Sequence, residues 1–200
     1  MKQNLDLEND FYAKKQEPKK SPKLWGFIKE FFGVILISLV IVVPIRYYLV
    51  QPFVVRGASM EPGFFDGEYL VINEIGYKIN DPERGDVIVF RYPKEPSEYY
   101  IKRIIGLPEE RVEIRGGKIT IFNAQHPTGL VLDENEYLPN GRITRGDLSK
   151  TLKSDEYFVL GDNREASSDS RVWGTLPEEL IIGKTWIRAY PFNRFTVFSE

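Results

Sequence analysis

Residues 31–45 read FFGVILISLVIVVPI and carry no charged side chain. With Trp25 and Phe27 before this run and Tyr47 to Val50 after it, the apolar span reaches about 20 residues, enough for one membrane crossing. A helix buried in a soluble domain keeps a polar stripe toward water, and this run has none. Lys29 and Arg46 flank it and can snorkel toward headgroups. Lys14, Lys15, Lys19, Lys20 and Lys23 all precede it, which by the positive-inside tendency keeps the N-terminus cytoplasmic and the rest of the chain outside. A cleaved signal peptide is the rival reading. The long polar leader and the lack of a small-x-small site after the run favour an uncleaved anchor. The expected organisation is a disordered cytoplasmic tail over residues 1–23, a transmembrane anchor helix over 24–50 and an extracytoplasmic domain over 51–200. An extended chain from Val50 to Ser59 spans at most about 30 Å, so the start of that domain is tethered close to the bilayer.

The domain reads as β. Short runs rich in β-branched and aromatic residues lie at 69–72, 86–91, 99–105, 111–114, 118–122, 157–160 and 181–189. They are bounded by turn signals such as Asp66-Gly67, Arg84-Gly85 and Tyr92-Pro93, and Gly116-Gly117 predicts a tight hairpin. Residues 123–153 are mostly polar and read as an excursion from the core. Many short strands at regular intervals predict a mainly β fold, a compact antiparallel barrel or sandwich. A formal net charge of −2 leaves no electrostatic footprint for nucleic acid. The absence of cysteine excludes disulfides, thiolate metal sites and cysteine catalysis. The single histidine, His126, precedes a proline in a polar stretch with no orienting pattern around it, and is set aside as a catalytic base.

Three stretches can carry chemistry. The first is Gln51-Pro52-Phe53-Val54-Val55-Arg56-Gly57-Ala58-Ser59-Met60-Glu61-Pro62, where small residues before Ser59 let another backbone come close. A serine hydroxyl needs a base. Lys102 lies inside the apolar run 99–105, with Tyr100 and Ile104 on its face of the strand. Burial there would lower its pKa and allow a neutral amine to act on Ser59, although a strand lysine is more commonly a solvent-facing edge residue. The third stretch, residues 161–174, is dense in Asp, Asn, Ser and Arg. It reads either as a polar turn-rich loop or as a hydrogen-bonded shell around a reacting pair.

From about Leu24 to Tyr190 the chain resembles the bacterial type I signal peptidases. The match rests on Gly57-Ala58-Ser59-Met60-Glu61-Pro62, on Arg84-Gly85-Asp86-Val87-Ile88-Val89-Phe90-Arg91-Tyr92-Pro93, on Tyr100-Ile101-Lys102-Arg103-Ile104-Ile105-Gly106-Leu107-Pro108 and on residues 161–174, in that order behind an apolar segment. The resemblance implies a Ser/Lys-dyad endopeptidase with Ser59 as nucleophile, Lys102 as general base and Ser167 as the hydroxyl that orients the lysine. It implies structural pairs of Asp162 with Arg103 and Asp169 with Arg171. Phe53, Val55, Met60 and Ile101 would contact substrate and select Ala-x-Ala-like sites. No metal or organic cofactor is implied. The implied partners are signal-bearing preproteins and the lipid bilayer, with the protein export machinery as a further candidate. Some members of the family carry a serine two positions before the nucleophile that assists the oxyanion hole. Gly57 stands there here, so the Ser59 and Gly57 backbones are the expected oxyanion donors. Pro62-Gly63-Phe64-Phe65 replaces the more usual Pro-Thr-Leu, and Phe64 and Phe65 are expected to dip into the outer leaflet. The alternatives are a self-cleaving protein of the LexA/UmuD type and a membrane-anchored β domain that binds a partner without catalysis.

Overall fold

The computed structural model describes residues 24–44, 50–139 and 143–198. The expected tail over 1–23, and Arg46 with its snorkelling role, lie outside the described residues. The chain divides into two units, Met1–Val43 and Pro44–Glu200. The described part of the first lies within α1, Leu24–Pro44, whose last residue falls in the second unit. Its side chains are exposed along nearly the whole length, including Phe31, Leu36 and Val40. The stretch Trp25–Val43 is long and apolar enough to cross a membrane, at about 28 Å of helix. Such a helix fits a membrane anchor. The anchor was expected to run to residue 50, yet Val50 already begins β1, Val50–Val54. Pro52 is compatible with that strand because β1 lies at a sheet edge, where a missing N–H costs no ladder bond.

The second unit is built from two antiparallel sheets that are not closed into a barrel. The larger one combines β1 with β2 (Tyr69–Asn73), β3 (Val87–Tyr92), β4 (Glu95–Gly106), β9 (Glu156–Leu160), β10 (Leu176–Pro177) and β11 (Ile181–Tyr190). Their order is β1-β2-β11-β3-β4-β9-β10, and β12 (Thr196–Val197) pairs with β11. The smaller sheet has the order β7-β6-β5-β8, from β5 (Arg111–Arg115), β6 (Lys118–Phe122), β7 (Leu130–Val131) and β8 (Leu148–Thr151). Residues 123–153, read as an excursion, thus contribute two of its strands. The unit also carries two short α-helices, α2 (Gly76–Ile79) and α3 (Ser170–Trp173), and 3-10 helices at Glu178–Leu180 and Phe192–Arg194.

Side-chain alternation explains the layers. In β5 and β6, Val112, Ile114, Ile119 and Ile121 point inward onto Ile105, Leu152, Phe158 and Leu160. The β5–β6 hairpin turns through Gly116 and Gly117 at φ 58° and 80°, the left-handed pair that a two-residue turn requires. In β3 the run from Val87 to Phe90 is buried on both faces, as a central strand must be. One core cluster, containing Val55, Met60, Phe64, Leu70, Ile72, Val87, Val89 and Ile101, lies under the start of the domain. Another gathers Ile88, Phe90, Ile104, Tyr157, Val159, Trp173 and Leu176. Lys102 sits on β4 between β3 and β9, opposite Ile88 in the ladder.

Candidate active site

Ser59 stands in the connection between β1 and β2, which is pinned at its base and its tip. At the base, Val55 N–H donates to Glu68 O (2.9 Å) and Gly67 N–H to Val55 O (2.9 Å). At the tip, Glu61 N–H donates to Ala58 O (3.2 Å) and Phe64 N–H to Met60 O (2.9 Å). Met60 is 0% exposed and anchors this turn in the core. It therefore supports the nucleophile from below and does not line the cleft, contrary to the substrate-contact role expected for it. Phe64 is also buried, with its ring 5.3 Å from that of Phe198, so it is not available to a lipid leaflet. Consecutive residues on a tight turn point in different directions, and only Phe65 remains partly exposed, beneath the Arg194 guanidinium.

Buried charge holds the outer side of the same turn. Arg188 Nη2 donates to Gly63 O (2.6 Å), while Arg188 Nε and Arg194 Nη1 lie 2.9 and 2.7 Å from the buried Glu68 carboxylate. These last two contacts are ion pairs whose geometry falls short of hydrogen bonds. From behind, Asn163 grips the backbone on either side of the nucleophile's peptide. Its N–H donates to Ser59 O (3.0 Å) and its side-chain amide to Ala58 O (3.0 Å).

Lys102 Nζ is 2.8 Å from Ser59 Oγ and 2.8 Å from Ile101 O. The residue is 3% exposed. The Tyr100 ring, 5.4 Å from Nζ, is itself stacked on Tyr92 at 4.4 Å, so aromatic surface replaces water on that side. Burial pushes the lysine pKa down to about 8, against the upward pull of Asp169 and Asp162. In its neutral form the amine can accept the Ser59 proton across the existing contact.

The loop over 161–169 is closed by its own carboxylates. Asp169 accepts from Gly161 N–H (3.1 Å) and from Arg171 Nε and Nη2 (2.8 Å each). Asp162, fully buried, takes Arg103 Nε and Nη2 at 2.9 and 2.7 Å. Both expected carboxylate–arginine pairs thus exist as fork-on-fork contacts. Ser167 differs from expectation. Its Oγ is buried and makes no hydrogen bond to Lys102 or to any other described residue. The loop packs so closely that a Cβ on Gly161 would fall 2.2 Å from Ser167 Oγ and 2.4 Å from Ser59 O, which explains the glycine there. Gly57, the second expected oxyanion donor, already directs its N–H to Asp66 Oδ1 (2.7 Å). The Ser59 N–H remains as the backbone donor beside the nucleophile.

A cavity of about 670 Å³ opens over Ser59 and Lys102. Phe53, Val55 and Ile101 line it, together with Leu70, Val89, Tyr99 and Ala166. The sequence by itself marks neither Asn163 nor Leu70 and Val89 as site residues. Asn163 lay within a stretch marked for its polar density, whereas nothing in the local sequence distinguishes a cleft-facing Leu70 or Val89 from other core residues. Among the described residues no cluster of His, Asp or Glu could hold a metal ion.

A buried amine in contact with a serine hydroxyl, on an open apolar cleft carried by antiparallel strands, is the constellation of a serine peptidase. The family model described as signal peptidase, peptidase S26, matches residues 28–190. The chain is 32% identical over 182 residues to a probable signal peptidase I-1 of Synechocystis, covering 87% of this chain and 88% of that one. It is 33% identical over 182 residues to signal peptidase IB of Staphylococcus aureus, covering 84% and 92%. A crystal structure of a signal peptidase I from Enterococcus faecalis V583 superposes with a TM-score of 0.43 at 30% identity, over 53% of this chain and 97% of that one. The chain belongs to the signal peptidase family, peptidase S26, and is a serine peptidase.

Proposed function

We propose that this protein is a membrane-anchored endopeptidase that removes signal peptides from exported preproteins by a Ser59–Lys102 mechanism. The observation that carries the proposal is the 2.8 Å contact between Ser59 Oγ and a lysine amine stripped of water. Neutral Lys102 takes the Ser59 proton as Oγ bonds to the scissile carbonyl carbon. The Ser59 N–H is assigned as the donor to the developing oxyanion. The Lys102 ammonium then protonates the departing amine as the C–N bond breaks, leaving an acyl-enzyme on Ser59. Lys102, neutral again, draws a proton from water as its oxygen bonds to the ester carbonyl carbon, and the ammonium returns that proton to Ser59 Oγ as the C–O bond breaks.

An ammonium has three N–H donors, and Ser59 and Ile101 O account for two. We assign Ser167, the buried hydroxyl without a partner, as the acceptor for the third when the charge forms. Arg103–Asp162 and Asp169–Arg171 hold the loop behind the reacting pair. Phe53, Val55 and Ile101 shape an apolar cleft suited to small side chains, which supports cleavage after small-x-small sites. Residues 24–44 supply the anchor, and the lysines before it favour a cytoplasmic N-terminus with the β domain outside. In this reading the preprotein and the bilayer are the working partners, with the export machinery a further one.

The test is incubation of the full-length protein in detergent with a signal-bearing precursor, followed by mapping of the new N-terminus. The expected product begins after a small-x-small site. Ser59→Ala and Lys102→Met are each expected to lose at least 100-fold in kcat while remaining folded. Normal processing by either variant would defeat the assignment.

A further inference from the structure

The loop behind the nucleophile is fastened by a residue from a distant part of the chain. Arg164 is 3% exposed. Its Nε donates to Gly161 O (3.1 Å) and its Nη1 to Glu134 Oε2 (2.8 Å). Its Nη2 also meets Glu134 Oε1, and Nη1 meets the hydroxyl of buried Thr144. Glu134 lies just beyond β7, at the start of a turn whose Tyr137 and Leu138 N–H groups donate to Glu134 O. Tyr137 turns back over the site. Its hydroxyl donates to Glu134 Oε1 (2.8 Å), and the Arg103 guanidinium lies 4.0 Å from the centre of its ring. The side chains of 134, 137 and 144 therefore form a bracket that holds Arg164, which reaches back to Gly161 O, and that lies against Arg103, the partner of Asp162.

The bracket has a direct line to the reacting atoms. Gly161 O is held through Arg164, Asp162 holds Arg103 beside Lys102, and Asn163 holds Ala58 O and Ser59 O. With the 161–164 backbone displaced, the nucleophile's peptide and the residue after Lys102 both lose their supports. We infer that the Glu134–Arg164 pair is a positioning unit for the Ser59–Lys102 pair. The inference rests on the Ser59–Lys102 reading given above.

Two variants of the full-length protein test it: Glu134→Gln, and the double variant Glu134→Met with Arg164→Met. Replacing a whole buried ion pair by apolar residues of similar volume is generally tolerated by the fold, whereas removing one partner is not. The double variant therefore separates positioning from folding. Misplacement of about 1 Å can cost on the order of 100-fold. The expected result is a folded double variant whose kcat on a signal-bearing precursor falls about 10- to 100-fold at unchanged KM. Acylation of Ser59 by a serine-directed inhibitor should slow by the same factor. A folded double variant with wild-type kcat and acylation rate overturns the inference, even if Glu134→Gln alone unfolds. If the double variant does not fold, Tyr137→Phe, which deletes one hydroxyl, carries the same readout. A severalfold loss of kcat then supports the bracket, and wild-type kcat overturns it. Wild-type protein that neither cleaves the precursor nor is acylated at Ser59 overturns the underlying reading as well, whereas active wild type with unaffected variants overturns this inference alone.

Discussion

Behind the cleft, three guanidinium groups each meet a carboxylate through two nitrogens: Arg103 on Asp162, Arg171 on Asp169 and Arg164 on Glu134. In the cleft, one residue from Arg103 along β4, Lys102 hydrogen-bonds among the described residues to a hydroxyl and a carbonyl oxygen and to no carboxylate. Both regions take a cation out of water, and they resolve the cost in opposite ways. An arginine cannot shed its proton, so it must be paired. A lysine can, so an unpaired buried lysine becomes a base. The two carboxylates nearest in effect, Asp169 and Asp162, are occupied by arginines and only partly offset the desolvation of Lys102. The paired loop thus supplies rigidity, and the unpaired amine supplies reactivity.

The largest effect on stability is expected from breaking a pair. Asp162→Ala leaves the mostly buried Arg103 guanidinium without its carboxylate, and the loss of one partner of such a pair costs about 3–5 kcal/mol. Denaturant unfolding of the purified variant measures it. A loss below about 1 kcal/mol would place this contact with ordinary surface pairs and erase the contrast between the two regions.

Removing the unpaired cation should do the reverse. The folded pKa of Lys102, about 8, lies below its unfolded value of 10.5. The folded chain therefore binds fewer protons than the unfolded one between those values, so stability rises with pH through that window. Below about pH 8 the full penalty is present, on the order of 3 kcal/mol for a shift of this size. Lys102→Met is expected to be more stable than wild type at pH 7 by up to that amount, with the difference shrinking toward pH 10. Wild-type activity should fall about tenfold per pH unit below 8 as the amine becomes charged. A variant less stable than wild type at pH 7, or a flat rate profile down to pH 6, would show that the amine is not desolvated as described.

The same contrast explains what could be read from the residues alone. Lys102 was legible because a cation inside an apolar β run has few destinations, and Ser59 because small residues and a proline frame it. The strands around them followed from β-branched runs and glycine turns, and the Gly116–Gly117 hairpin formed where its dipeptide stood. Met60 and Phe64 were misplaced because a turn gives no periodicity from which to tell inside from outside. Glu134 could not be found at all. Its partner is 30 positions away, in a stretch whose polarity reads as loop, and the two meet only in the folded chain. Long-range pairs of this kind are properties of the fold, with no local signature.

The smallest expected effect concerns Ser167, which belongs to the paired loop yet has no partner. A buried hydroxyl left unsatisfied costs roughly 1–3 kcal/mol, so above about pH 8, where the amine is neutral, Ser167→Ala should raise stability by about 1 kcal/mol and not lower it. Loss of the hydroxyl also removes the acceptor assigned to the Lys102 ammonium. Acceptors favour the charged form, so their removal depresses the amine further and moves the acidic limb of the rate profile to lower pH. The variant should therefore be slightly more stable than wild type above about pH 8, with its limb displaced downward by less than about one unit. If the limb stays in place, Ser167 does not touch the amine in any state that matters to the rate. An upward displacement would mean that the hydroxyl donates to the neutral amine instead. The first result would move Ser167 out of the cleft's chemistry and leave the Lys102 base to be set by burial and Ser59 alone, whereas the second would make Ser167 a donor that lowers the amine's pKa.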